Sequence, residues 1–284
     1  MGTDKRERKK VNRAAKIEAD LAAEAKARRL RFIRNAVILV IAIVVVGMLL
    51  GGCSSSDSTS DSSADNSTTT EPDTGESGGT GPKASFGTGA CPPATTPDPP
   101  KIDISSAPKK CIEDGTAYQA KIVTSEGTVV VEFDTKRTPV TANNFIALAR
   151  NGYYDGTTIF RTEAQSGIIQ GGSPHTQDNT DPGPGYTIPD EGLPYAADDY
   201  GPGTLAMART ADPNSASGQF FFLANEGGRY LGDQAQLGES AGSYVPFAKV
   251  TEGLDVLVKI AELDNGSSTP SKPVTIEKVT ITES

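Results

Sequence analysis

The chain has 284 residues and a net charge of −9, with one histidine, three cysteines and no tryptophan. The charge is divided: residues 1–34 hold 12 Lys/Arg against 5 Asp/Glu, and the remainder holds 15 against 31. An acidic body argues against nucleic acid as its partner. A lone histidine, His175, with no nucleophile elbow and no CxxC pair, argues against triad chemistry and against a zinc centre. No metal and no cofactor is expected, and His175 reads as a solvated loop residue.

Residues 1–34 are rich in Ala, Lys, Arg and Glu and read as a basic cytoplasmic tail. Residues 35–52 contain the uncharged run AVILVIAIVVVGMLL, which is apolar on every face and of the length a bilayer requires. It reads as a single transmembrane helix. The preceding lysines and arginines place everything after it outside the cell membrane. The rival reading is an export signal ending in LGGC, with Cys53 lipidated. The retained anchor is favoured on segment length, and both readings leave the body extracytoplasmic.

Residues 53–90 form a low-complexity Ser/Thr/Asp/Gly linker with little to bury, the composition of a disordered tether. Residues 91–115 follow as a proline-rich leader bracketed by Cys91 and Cys111. Outside the membrane two cysteines closing a short loop pair more often than they stay free, so a disulfide is expected.

The folded domain is placed at 116–284. AYQAKIVTS and GTVVVEFDT are strand-like runs joined at Glu126-Gly127. TPVTANNFIALARNG reads as a helix, with Pro139 in its first turn and Gly152 at its end. Its sheet-facing residues are Phe145, Leu148 and Ala149. Next come the Arg161 segment, a long Gly/Pro loop over 171–202, and the stretch GTLAMARTADPNSASGQFFFL (Gly203 to Leu223). This last reads as strand, polar loop, strand; Gln219 and Phe221 lie two apart and so share a strand face. VPFAKV, the helix GLDVLVKIAEL and the strand VTIEKVTIT close the chain. Many short strands with two helices suggest a closed antiparallel barrel.

Five blocks carry a resemblance: TPVTANNFIALARNGYYDGT, IIQGGSP, GPGYTIPDE, GTLAMARTADPNSASGQFFF and VPFAKVTEGLDVLVKI. In this order and spacing the chain from about Ala117 to Ile281 resembles the cyclophilin-type peptidyl-prolyl cis-trans isomerases. The resemblance implies a mainly β fold, an eight-stranded antiparallel barrel capped by two helices, with a substrate groove on its outer face. It implies Arg161 as the catalytic donor. It implies Ile168, Phe221 and Leu231 as the proline pocket, with Tyr244 beside them. Gln170 and Gln219 would bind substrate backbone, and Ala208, Arg209 and Thr210 would form the rim. Proline-containing polypeptides are the implied partners. Cyclosporin-like ligands are a further candidate, because the family's drug contacts overlap the groove; Tyr230 stands where a tryptophan often helps that binding.

The chain departs from the family pattern in four places. Ile159-Phe160-Arg161 replaces Phe-His-Arg, and Gly167-Ile168 replaces Phe-Met. The stretch from Arg161 to Gln170 is one residue long, which allows Thr162 as a rival in the arginine position; a bulge in TEAQSG is expected to absorb the excess. GDQAQLGESAGS is inserted between Leu231 and Tyr244. Two functions follow: an isomerase acting on exported or envelope proteins, and a proline-peptide-binding or chaperone module of the same fold without turnover. The retained Arg161, Gln170, Gln219 and Phe221 favour the enzyme.

Overall fold

The structure is a computed structural model and describes residues 85–93 and 95–284. The basic tail, the membrane span expected over 35–52, Cys53 and the linker through residue 84 lie outside the described residues. Among the described residues no helix is long and apolar enough to cross a membrane.

Nine strands form one sheet. They are β1 (Tyr118–Thr124), β2 (Gly127–Phe133), β3 (Thr157–Ile159), β4 (Arg161–Glu163), β5 (Ile168–Gly171), β6 (Thr204–Met207), β7 (Phe220–Leu223), β8 (Pro246–Glu252) and β9 (Val274–Glu283). The order is β3-β9-β1-β2-β8-β6-β7-β5-β4, and every pairing is antiparallel. The two ends of that order, β3 and β4, are consecutive in the chain with only Phe160 between them. One run of chain therefore pairs with β9 on one side and β5 on the other, giving a nearly closed barrel. The strand count is nine rather than the expected eight because this run breaks at Phe160. The Phe160 N–H still donates to the Gln170 carbonyl at 3.1 Å. In the first hairpin Thr124 pairs with Gly127, so Ser125 and Glu126 form the turn and Gly127, at φ +143°, opens β2.

Among the described residues three α-helices accompany the sheet: α1 (Pro139–Arg150), the single turn α2 (Gln234–Leu237) and α3 (Leu254–Ala261), of which α1 and α3 are the two expected. In α3 the apolar positions Val256, Leu257, Ile260 and Ala261 are buried, the stripe its spacing dictates. In α1 the expected face is buried, but so is every other residue from Val140 to Ala149. The reason is the leader, which covers the far side of the helix. The Cys111 N–H donates to Asn143 Oδ1 at 2.7 Å, and Asn143 Nδ2 donates to the Lys109 carbonyl at 3.0 Å. The Lys101 N–H donates to the Asn151 carbonyl at 2.9 Å. Ile102, Ile104 and Ala107 pack against the core from this segment, as does Phe86 just before it, and Ile112 is buried in the core. Cys91 and Cys111 are disulfide-bonded, with Cα atoms 5.5 Å apart.

The buried carboxylate of Glu191 holds the start of α1. It accepts from the Val140 N–H at 3.0 Å, the Thr141 N–H at 2.7 Å and Thr141 Oγ1 at 2.6 Å. An anion there satisfies otherwise orphaned donors and complements the helix dipole.

The core has two parts because strand residues alternate between faces. Ile169, Leu205, Met207, Phe220 and Phe222 point inward with Phe145, Tyr154 and Phe247. Phe145 stacks on Tyr154 at 4.6 Å and meets Phe220 at 5.5 Å. The alternate positions Ile168, Ala206, Phe221 and Leu223 form a second cluster with Tyr195, Tyr200, Leu231 and Val245. That outer cluster floors the site.

Candidate active site

Register builds the site. Across the ladder Arg161 pairs with Gln170, Gln170 with Phe221, and Phe221 with Ala206. These four residues form one row over β4, β5, β7 and β6, and a row across a sheet shares a face. Glu163, Ile168 and Leu223 form the next row on that face. Gln219 precedes Phe221 by two residues and extends the face in the other direction.

Hydrogen bonds join these side chains into a line. Arg161 Nη1 donates to Gln170 Oε1 at 2.9 Å, and Gln170 Nε2 donates to Gln219 Oε1 at 2.9 Å. On its other edge Arg161 donates to Glu163 Oε1 from Nε at 3.0 Å and from Nη2 at 2.5 Å. The guanidinium is held yet partly exposed, at 39% of its side-chain surface. The amides are fixed in orientation because each accepts from one neighbour or donates to the other.

Beside this line lies a hollow of about 90 Å³, roughly three waters' share of liquid volume and the scale of one small ring. Arg161 and Gln170 form its polar side. Ile168, Phe221 and Leu231, each 4% exposed, form its apolar floor. Tyr244 and Tyr230 stand at the edge, and Ala208 and Arg209 at the rim. The Phe221 and Tyr244 rings meet edge to face at 5.4 Å. Tyr200 Oη donates to the Tyr244 carbonyl at 2.6 Å. Burial, aided by Glu163, raises the Tyr230 phenol above its ordinary pKa against the opposing pull of Arg161; the hydroxyl stays protonated.

The hollow continues into a wider section of about 760 Å³ that shares Arg161, Gln170, Ala208 and Arg209. Gln219 and Thr210 line this section, with Asp178, Asn179, Thr187 and Ser217 opposite. All ten residues singled out in the sequence thus line one of the two sections. Tyr230 joins them in the small section, and Glu163, one row away on the same face, holds the Arg161 guanidinium. The signal for Glu163 was present, since it stands two residues after Arg161 in a strand and must share its face.

Several expectations are refined. Thr162 is fully buried and faces the interior opposite Ile169, so of the two rival residues it is Arg161 that faces the groove. The extra residue makes no bulge: β4 and β5 pair without a break. It is absorbed in the turn Ala164 to Gly167, where the Gly167 N–H donates to the Glu163 carbonyl at 2.8 Å. Gly167 has φ +71°, and a Cβ there would approach the Asn225 nitrogen to 2.7 Å. It belongs to the turn and lines neither section of the groove.

The Arg209 guanidinium is largely buried and engaged by the protein. It donates to the Ser243 carbonyl at 2.9 Å and the Asp212 carbonyl at 2.7 Å, with Asp190 at 3.7 Å. Its side chain braces the rim loops. The insertion forms α2 and a 3-10 turn; no residue from 232 to 243 lines either section, so it neither walls nor roofs the groove.

His175 is not simply solvated. Its ring nitrogens lie 3.1 Å from Asp181 Oδ1 and 3.2 Å from Asp103 Oδ1, bridging the leader to a loop of the wider section. Burial opposes protonation, but the two carboxylate hydrogen bonds outweigh it and raise the pKa.

The profile of the family described as "Cyclophilin type peptidyl-prolyl cis-trans isomerase/CLD" matches residues 119–281. The chain belongs to the cyclophilin-type peptidyl-prolyl cis-trans isomerases. Among named members it is 38% identical over 165 residues to the peptidyl-prolyl cis-trans isomerase cyp18 of Streptomyces antibioticus, covering 56% of this chain and 95% of that protein. It is 33% identical over 169 residues to peptidyl-prolyl cis-trans isomerase B of Escherichia coli, covering 56% of this chain and 97% of the relative. A crystal structure of a Cryptosporidium parvum cyclophilin type peptidyl-prolyl cis-trans isomerase aligns over 58% of this chain and 98% of its own, at 27% identity and a TM-score of 0.48. The described cyclophilin domain is a mainly β, nearly closed barrel with a groove on its outer sheet face.

Proposed function

We propose that this cyclophilin rotates Xaa-Pro bonds in exported or envelope proteins, with Arg161 donating to the prolyl nitrogen. The observation that carries the reading is the line from Arg161 through Gln170 to Gln219 beside an apolar hollow. The planar amide resists rotation by ~18–20 kcal/mol because its C–N bond is partly double. In the twisted state that resonance is lost and the nitrogen regains its lone pair. A donor aimed at that nitrogen binds the twisted state more tightly than either planar isomer, which is catalysis by differential binding.

Each group has a part. Phe221, Ile168 and Leu231 take the proline ring, with Tyr244 at its edge. Gln170 and Gln219 hold the flanking backbone and the guanidinium together. Ala208 and Thr210 border the segment before the proline. No proton is transferred in such a rotation, so no general base is required.

The extracytoplasmic setting rests on the apolar run over 35–52 with its basic flank. The bond between Cys91 and Cys111 suits the same setting, since disulfides persist in oxidising compartments.

The test is two-dimensional NMR exchange on an Ala-Pro peptide with catalytic amounts of the full chain. Wild type should accelerate cis–trans exchange, and Arg161→Ala should lower that acceleration by about 100-fold, the usual cost of removing one transition-state donor. Acceleration undiminished in the variant would remove Arg161 from this role. Peptide line broadening without acceleration would leave a binding module.

A further inference from the structure

We propose that Glu163 is a positioning residue for Arg161, fixing the plane of the guanidinium so that its free N–H groups face the prolyl nitrogen. The inference rests on reading Arg161 as the donor. Arginine carries five N–H donors in a rigid fork. Here Nε and Nη2 donate to Glu163 Oε1 at 3.0 and 2.5 Å, and Nη1 donates to Gln170 Oε1 at 2.9 Å. Three contacts on two edges define the plane, and one hydrogen on each of Nη1 and Nη2 is left over. A carboxylate that claimed every donor would compete with substrate; this one does not.

Glu163 is itself held from two directions. Ser166 Oγ donates to its Oε2 at 2.8 Å, and Ser268 Oγ reaches Oε1 at 3.5 Å. Ser166 belongs to the turn that is one residue longer than the family spacing. Ser268 belongs to a loop docked against the same strand: the Thr162 N–H reaches the Ser268 carbonyl at 3.4 Å, and the Ala164 N–H donates to Asp264 Oδ2 at 3.1 Å. Glu163 faces Ile168 across the ladder, one row from the Arg161–Gln170 pair, so backbone register alone brings carboxylate and guanidinium together. A partly exposed arginine left to itself samples many rotamers, and a donor must be in place before the bond twists.

The experiment measures exchange over a range of peptide concentrations with the full chain, separating turnover from affinity. The chains compared are wild type, Glu163→Ala, Glu163→Gln, Arg161→Ala and the double alanine variant. Glu163→Ala should lower kcat about tenfold with KM within twofold. Glu163→Gln, which keeps an acceptor, should return kcat to within about threefold of wild type. In the Arg161→Ala background the Glu163 change should add nothing. The Arg161 Nε–H resonance should move on Glu163→Ala and stay near its place in Glu163→Gln. Undiminished or faster turnover in Glu163→Ala, with Arg161→Ala still impaired, overturns the positioning role alone. An equal loss from Glu163→Ala in both backgrounds also overturns it, because the effect then does not pass through Arg161. Full activity in Arg161→Ala overturns the donor reading and this inference with it.

Discussion

Replacing both Cys91 and Cys111 with serine opens a loop whose ends are 20 residues apart. On the chain-entropy model a loop of that length restricts the unfolded chain by about 3 kcal/mol at 25 °C. The folded side of the balance changes little. The leader keeps its backbone bonds, among them Lys101 to Asn151 at 2.9 Å and Ile104 to Pro184 at 2.6 Å, and its apolar residues stay on the core. For a domain of this size about 3 kcal/mol corresponds to a fall in Tm of roughly 6–12 °C. The small hollow contains no leader residue, so isomerase activity at 25 °C should stay within twofold. The assay is thermal unfolding of the full chain followed by near-ultraviolet circular dichroism, with peptide exchange measured at 25 °C on the same samples. A Tm shift under 2 °C would mean the unfolded chain does not gain the freedom assumed. Loss of activity at 25 °C would mean the leader is held by its disulfide rather than by its docking.

Glu191→Ala leaves two buried N–H groups of α1 unpartnered and should cost about 2–4 kcal/mol in urea unfolding; a cost under 1 kcal/mol would show that water replaces the carboxylate. Phe221→Leu removes the aromatic edge against Tyr244 and reshapes the floor of the hollow, and should weaken binding of a proline peptide several-fold by NMR titration; unchanged affinity would remove Phe221 from the proline-binding role. The raised pKa of His175 means the folded state holds the proton more tightly than the unfolded chain. Its contribution is therefore complete below the ordinary imidazole pKa near ~6.5 and fades as pH rises through the folded value. Urea midpoints should place His175→Asn further below wild type at pH 5.5 than at pH 8.5, and an equal gap at both would remove the charged bridge.

What the sequence made legible followed from periodicity and from short blocks. Alternation located the first hairpin, and the 3.6-residue stripe of Val256, Leu257 and Ile260 located α3. The blocks around Arg161, Gln170 and Phe221 placed the groove, because those residues lie on strands whose register brings them into one row. The leader escaped such reading. Ile102 and Ile104 of the leader, and Phe86 before it, follow no period, so nothing in the sequence says that they pack against the core. The same holds for Asp178 and Asn179, which reach the wider section from an irregular loop. His175 looked solvated because its partners stand 6 and 72 residues away. The excess residue before Gln170 was visible, but whether a strand bulges or a turn lengthens depends on tertiary fit at Gly167 and Asn225.

The join between β3 and β4 bears on how the groove withstands load. Arg161 is the first residue after the break at Phe160, on the run of chain that closes the barrel. Three residue pairs tie that run to β9 and three tie it to β5. A pull along the strands would load the three β4–β5 pairs in shear, so that they yield together, whereas a pull across them would open the pairs singly. Opening the seam would carry the backbone of Arg161 away from Gln170 and so take the row apart. While the seam is shut the backbone that carries Arg161 keeps its register with β5, and the place of the guanidinium is left to its side-chain contacts with Gln170 and Glu163.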